Sequence, residues 1–109
     1  MKTLTVDLPG RGYEILIDRG ILAGAGAHCR AALPGASRLA LVTDSNAGPL
    51  YGGKVLESLR AAGFTAERIN VPAGERSKSV TMLERLYDAF AEFGLTRSDA
   101  VVALGGGVV

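Results

Sequence analysis

Tryptophan is absent from these 109 residues, and cysteine and histidine occur once each, as Cys29 and His28. A single cysteine excludes an internal disulfide and favours a reducing, cytosolic compartment, with a partly buried, inert thiol as the expectation. One histidine with no cysteine or carboxylate cluster around it excludes the usual metal sites inside this chain. Neither sign of charge dominates: the formal net charge is +1. Such a balance gives no electrostatic drive toward nucleic acid or an anionic membrane, so any anion must be met locally. No apolar run approaches the roughly 20 residues that span a bilayer. The N-terminus alternates apolar and polar residues where a signal peptide would carry an unbroken apolar core. The expectation is a soluble, cytoplasmic protein with no nucleic-acid or membrane partner.

What is present is an ordinary globular composition, 48% hydrophobic and 21% charged. The length allows one domain with a real core, though it is small for a complete α/β enzyme. Leu4, Val6 and Leu8 alternate with polar residues, 9–12 carry turn chemistry, and Tyr13, Ile15 and Ile17 alternate again, which predicts a β-hairpin. Residues 21–33 read as a weak, alanine-rich helix closed by Pro34 and Gly35. Residues 38–43 form a compact apolar run and read as a buried strand. A helix is predicted over 49–62 with Gly63 as its cap, and a strand over 65–71. Val80, Leu83, Tyr87 and Phe90 recur at helical spacing up to Gly94. That spacing predicts a helix with this stripe on a sheet and Glu84, Arg85, Asp88 and Glu92 in water. Residues 100–104 form a last strand. The alternation from 38 to 104 predicts a doubly wound, mostly parallel sheet, a Rossmann-like α/β fold preceded by the hairpin.

Ligands of such sheets bind beyond the carboxyl ends of the strands, so three loops matter. The first holds Asp44, Ser45 and Asn46. A carboxylate there suits the vicinal hydroxyls of a ribose, and Asn46 both donates and accepts; equally, Asp, Ser and Asn are common helix caps. The second, 72–78, places Glu75, Arg76 and Lys78 near a helix N-terminus, where a bound anion would relieve the unfavourable cation, or where Ser77 or Ser79 simply caps. The third is Gly105, Gly106 and Gly107 with Val108 and Val109. Glycines directly after a buried strand let the backbone approach a phosphate-bearing cofactor, and a glycine-rich hairpin is the plain alternative. Two other patterns are weaker. Gly48 to Lys54 has phosphate-loop spacing, but Val55 stands where a Ser or Thr hydroxyl is needed and Pro49 removes a donor. Gly24-Ala25-Gly26 begins like a dinucleotide fingerprint, yet Cys29 replaces the third glycine, so a loose turn is expected.

In order, Thr43-Asp44-Ser45-Asn46, Leu50-Tyr51, Pro72-x-Gly74-Glu75-x-x-Lys78-Ser79, Gly94-x-x-Arg97-x-Asp99 and VVALGGGVV over 101–109 resemble the N-terminal, NAD-binding domain of the 3-dehydroquinate synthase family, within the sugar-phosphate cyclases. The similarity spans the whole chain, the Tyr13-Glu14-Ile15 hairpin included, but does not separate cyclases of sedoheptulose phosphate. The resemblance implies an NAD-dependent lyase of the shikimate pathway. It converts 3-deoxy-D-arabino-heptulosonate 7-phosphate, a seven-carbon keto-acid phosphate, to 3-dehydroquinate with release of phosphate and a divalent metal, zinc or cobalt. It further implies that Asp44, Asn46, Gly74, Glu75, Lys78, Gly105, Gly106, Gly107, Val108 and Val109 contact NAD. The family's metal ligands, substrate-binding cations and helical C-terminal domain have no counterpart in these residues. No catalytic or metal residue is therefore assigned, residues 1–109 are expected to be one NAD-binding domain that is inactive alone, and the longer enzyme is expected to be a homodimer.

Overall fold

The computed structural model describes residues 1–74, 78–106 and 109. Strands β1 (Lys2–Val6) and β2 (Tyr13–Ile17) pair antiparallel as a two-stranded hairpin, with Leu4 opposite Ile15 and Val6 opposite Tyr13. Leu8 falls outside the strand. A tight helical turn, Ile21–Gly24, then leads into α1 (Ala25–Ala32), so the alanine-rich segment is helical but broken near its start.

Three parallel strands follow: β3 (Arg38–Asp44), β4 (Thr65–Val71) and β5 (Ala100–Leu104), in the spatial order β4-β3-β5. The central strand is the apolar run, and it is buried from Leu39 to Asp44. That is the behaviour of a parallel strand covered on both faces. Leu39 and Leu41 point to the face that carries α1 and α2 (Gly53–Ala61), where they pack with Val55, Leu59, Phe64 and Ala66. Fully burying each such aliphatic side chain contributes about 1.5–3 kcal/mol. No helix among the described residues is long and apolar enough to cross a membrane.

The predicted helix over 49–62 is two elements, a wide π-type turn at Gly48–Gly52 running straight into α2. After α2, Gly63 turns the chain with φ +95°, the left-handed conformation expected of a capping glycine. The last helix, α3 (Val80–Phe93), starts on Ser79, whose hydroxyl accepts the Met82 N–H at 3.1 Å. It presents a different stripe from the predicted one. Val80, Leu83 and Tyr87 are exposed, at 73, 46 and 59%. Met82, Leu86, Ala89 and Phe93 are half-buried, as is Phe90 of the predicted stripe, and Ala89 and Phe93 border Ile69 on β4. Both series have helical spacing and are offset by one residue, about 100° of rotation. Periodicity alone could not choose between them.

Two polar devices lock this frame from the amino end of the sheet. Asp99 Oδ1 accepts the N–H groups of Ser37 (3.1 Å) and Arg38 (2.9 Å), while Oδ2 accepts the N–H (3.0 Å) and hydroxyl (3.1 Å) of Thr96. The loop before β5 is thereby tied to the start of β3. Arg30 donates to the carbonyls of Ala36 (2.9 Å) and Ala62 (3.3 Å), and its guanidinium lies 3.7 Å above the Phe64 ring. Burial raises the Cys29 thiol above its ordinary pKa, in keeping with an inert, partly buried side chain.

Gly26 is not part of a loose turn. It sits in α1 where α1 crosses α2, its N–H donates to Ser58 Oγ at 2.9 Å, and a Cβ there would collide with the Ser58 backbone carbonyl. Gly26→Ala should therefore destabilise the fold by about 1–3 kcal/mol through forced separation of the helices, read as a lowered denaturation midpoint. Asp99 generates a pH prediction. The backbone N–H of Arg38, then that of Thr96, holds its carboxyl down to about 2 from 3.8. A carboxylate depressed on folding adds stability that is fully present above its unfolded pKa and is lost as pH falls through the folded one. The wild type should lose this contribution between about pH 4 and 2, and Asp99→Asn should melt lower at neutral pH with a shallower decline across that window.

Candidate functional site

The carboxyl ends of β3, β4 and β5 face one edge of the sheet because the three strands are parallel and in register, with Asp44 beside Val71 and Thr43 beside Leu104. Asp44, the last residue of β3, is buried at 6% exposure. Its Oδ1 accepts the N–H groups of Asn46 (2.9 Å) and Ala47 (2.6 Å), which turns the chain into the Gly48–Gly52 segment. The capping role is thus realised by one oxygen. Oδ2 lies on the other side, 3.4 Å from where a Cβ on Gly105 would stand.

Gly105 and Gly106 follow β5 directly, and neither has a positive φ. The reason for glycine at 105 is space: a Cβ would lie 2.7 Å from Val109 Cγ2, against the Asp44 carboxylate. Among the described residues nothing comes within 4 Å of a Cβ position at Gly106, which leaves an open approach to its backbone. The loop after β4 is drawn to the same edge by a hydrogen bond from the Ala73 N–H to Ser45 Oγ, 2.9 Å. Gly74 takes φ +102° in that loop. Lys78 is exposed immediately before the cap residue of α3. Glu75, Gly107 and Val108 lie outside the described residues.

Two clefts open here. One, of about 400 Å³, is walled by Leu22, Leu50, Tyr51 and Leu104, with Asn46, Ala47, Gly105 and Gly106 on its rim. The other, of about 390 Å³, is polar and is bordered by Asp44, Ser45, Gly48, Pro49, Arg68 and Asn70. Arg68 and Asn70 were not singled out by the sequence. Their signal is their parity: on β4 they share the face of Ala66, the helix-covered side, where polar residues are unexpected. Arg68 donates to the Gly48 carbonyl at 3.4 Å and fills the space that a side chain at Gly52 would need. Beneath this corner the Thr43 hydroxyl is fully buried without a partner among the described residues.

The phosphate-loop spacing at 48–54 is not realised as a loop. Residues 48–52 form a helical turn and Gly52 and Gly53 have ordinary right-handed helical angles, so their N–H groups run along a helix and do not converge on an anion. Lys54 is exposed. Among the described residues no three or more His, Cys, Asp or Glu side chains gather where they could hold a metal ion.

The Asp44 geometry makes a direct prediction. Asp44→Ala leaves two N–H groups at a buried corner without their acceptor, and should lower stability by about 1.5–3 kcal/mol. An unchanged denaturation midpoint would show that water replaces the carboxylate without cost.

The chain is similar to known proteins in both sequence and fold. The family described as 3-dehydroquinate synthase N-terminal matches residues 68–109. The chain is 49% identical over 110 residues to 3-dehydroquinate synthase of Geobacter metallireducens, covering 100% of this chain and 30% of that protein. It is 47% identical over 106 residues to the enzyme of Enterococcus faecalis, covering 97% of this chain and 29% of that one. The chain therefore spans about 30% of the length of the curated relatives it matches. Among solved structures, 2-deoxy-scyllo-inosose synthase superimposes over 98% of the chain and 30% of its own, with a TM-score of 0.82 at 17% identity. The same enzyme complexed with carbaglucose-6-phosphate, NAD+ and Co2+ gives 0.81 at 16%, over 98% of this chain and 29% of its own. At that identity the likeness shows a common fold. In sequence the chain is similar to the N-terminal region of 3-dehydroquinate synthases, and in fold it is similar to 2-deoxy-scyllo-inosose synthase.

Proposed function

We propose that residues 1–109 are the NAD-binding domain of a 3-dehydroquinate synthase, the enzyme that converts 3-deoxy-D-arabino-heptulosonate 7-phosphate to 3-dehydroquinate with release of phosphate. The observation that carries this reading is the meeting of the β3 and β5 ends, where the Asp44 carboxylate lies against Gly105 and beside the open backbone of Gly106. A glycine turn beyond a parallel strand suits a pyrophosphate, and an adjacent carboxylate suits ribose hydroxyls. Bound NAD supplies reversible acceptance of hydride from a substrate alcohol.

In this reading the N–H groups of Gly105, Gly106 and Gly107, with Val108 and Val109, line the pyrophosphate. Asp44 and Asn46 hold a ribose through groups their backbone bonds leave over. Gly74, Glu75 and Lys78 approach the cofactor from the β4–α3 loop, Lys78 with its charge. The zinc or cobalt ion, its ligands and the catalytic residues belong to the longer enzyme, a cytoplasmic homodimer with a sugar-phosphate substrate. The similarity of the chain to named 3-dehydroquinate synthases favours this substrate over that of the sedoheptulose-phosphate cyclases.

The test uses the full-length protein. NAD should raise its melting temperature and ATP should not, since a ligand at 100 times its Kd stabilises by about 2.7 kcal/mol. Gly106→Val should weaken NAD binding at least tenfold. Because Gly106 has open surroundings and no left-handed φ, the melting temperature without NAD should stay within the range of a surface change, about 0.5 kcal/mol. Lys54→Ala should leave NAD affinity unchanged. Loss of nucleotide binding in Lys54→Ala, with intact binding in Gly106→Val, contradicts the reading.

A further inference from the structure

The polar cleft between the ends of β3 and β4 carries an arginine on a sheet face that calls for apolar residues. Arg68 is exposed, and among the described residues no carboxylate lies at ion-pair distance from it. Its guanidinium donates to the Gly48 carbonyl at 3.4 Å, while its Nη1 and Cδ lie 2.7 and 3.1 Å from where a Cβ on Gly52 would stand. The other end of the same turn is seated in a similar way: a Cβ on Gly48 would come within 3.2 Å of Asn70 Oδ1 and of Thr43 Cγ2. Both glycines are buried and neither has a positive φ, so the space beneath the turn, not backbone freedom, calls for glycine there. The turn they bracket begins directly after Asn46 and Ala47, whose N–H groups bind Asp44 Oδ1.

Resting on the functional reading above, we infer that Arg68 is a positioning residue for the dinucleotide site: it clamps residues 48–52 from below and so fixes the turn that carries Asp44 and Asn46. Its contribution to global stability is small, because an exposed side chain with one long hydrogen bond is close to an ordinary surface position. Its contribution to local geometry is larger. Gly48 adjoins Ala47, whose N–H holds Asp44 Oδ1 at 2.6 Å, and the orientation of that carboxylate decides where Oδ2 points. Arginine suits the task, since its long stem lies along the underside of the turn while one of its five N–H donors reaches a carbonyl. Gly52 is then a consequence of Arg68. At φ −58° and ψ −42° its backbone is helical, and alanine is otherwise the better residue there. The nearest atom to a methyl at 52 is the far end of a flexible side chain, so such a methyl would displace the guanidinium and leave the turn itself intact.

The experiment measures the NAD Kd and the ligand-free melting temperature of the full-length protein and of its Arg68→Ala, Gly52→Ala and doubly substituted variants. Each single substitution should weaken NAD binding by roughly three- to tenfold, the range that the loss of one hydrogen bond spans. The double variant should bind no worse than Arg68→Ala alone, because both changes remove the same clamp. Gly52→Ala should raise the melting temperature more in the Arg68→Ala background than in the unsubstituted protein, since only there does the new methyl have room. Unchanged NAD affinity in either single variant overturns the inference, as do losses that multiply in the double variant or a Gly52→Ala stabilisation equal in both backgrounds. These outcomes leave the functional reading standing. Failure of the unsubstituted protein to bind NAD at all contradicts that reading and the role of Arg68 together.

Discussion

Parallel pairing of β3 on both of its sides is the constraint from which the site follows. A strand hydrogen-bonded to a neighbour at each edge and covered on each face has no room for polar side chains along its length, and from Leu39 to Val42 it has none. Parallel strands also bring their carboxyl ends to one edge, so polar residues excluded from the strand interior collect where it stops. Thr43 and Asp44 are these residues on β3, and Gly105 comes immediately after β5. The carboxylate and the glycine meet because the register pairs Thr43 with Leu104, one residue short of each.

That edge is held from the opposite end of the sheet. Asp99 ties the entry of β5 to the entry of β3 through backbone N–H groups, so a carboxylate far from the candidate site fixes the relative position of the two strands that form it. At the site itself Asp44 does comparable work on the turn that follows β3. The two aspartates divide their oxygens differently. Asp99 spends both on groups already in the chain, whereas Asp44 commits Oδ1 to the turn and keeps Oδ2 beside the glycines.

Much of this was legible because the relevant signals are local. The bounds of β4 follow from 65–71 as read, the run at 38–43 is β3 less its final aspartate, and Gly94 ends α3 in the left-handed conformation that a capping glycine adopts. The strand–helix alternation was enough to put Asp44, the β4–α3 loop and the glycines at one edge. What stayed hidden depends on contacts between distant residues. Gly26 looked like part of a loose turn because nothing nearby in sequence reveals that α2 crosses it; the answer lies at Ser58. The stripe on α3 was misplaced at Val80, Leu83 and Tyr87, though not at Phe90, because two apolar series compete and only the position of β4 selects between them. Arg68 beneath Gly52 is likewise a tertiary fact, and it makes Gly52 a packing position within a helical turn.

The central claim is that the glycine turn at the end of β5 is the anion-binding element of a dinucleotide site. A crystal structure of the full-length protein with NAD tests it most directly. The account predicts pyrophosphate oxygens within hydrogen-bonding distance of the N–H groups at residues 105–107, with a ribose at Asp44. A nucleotide seated on residues 48–54, or a pyrophosphate held away from the glycine turn, would contradict it.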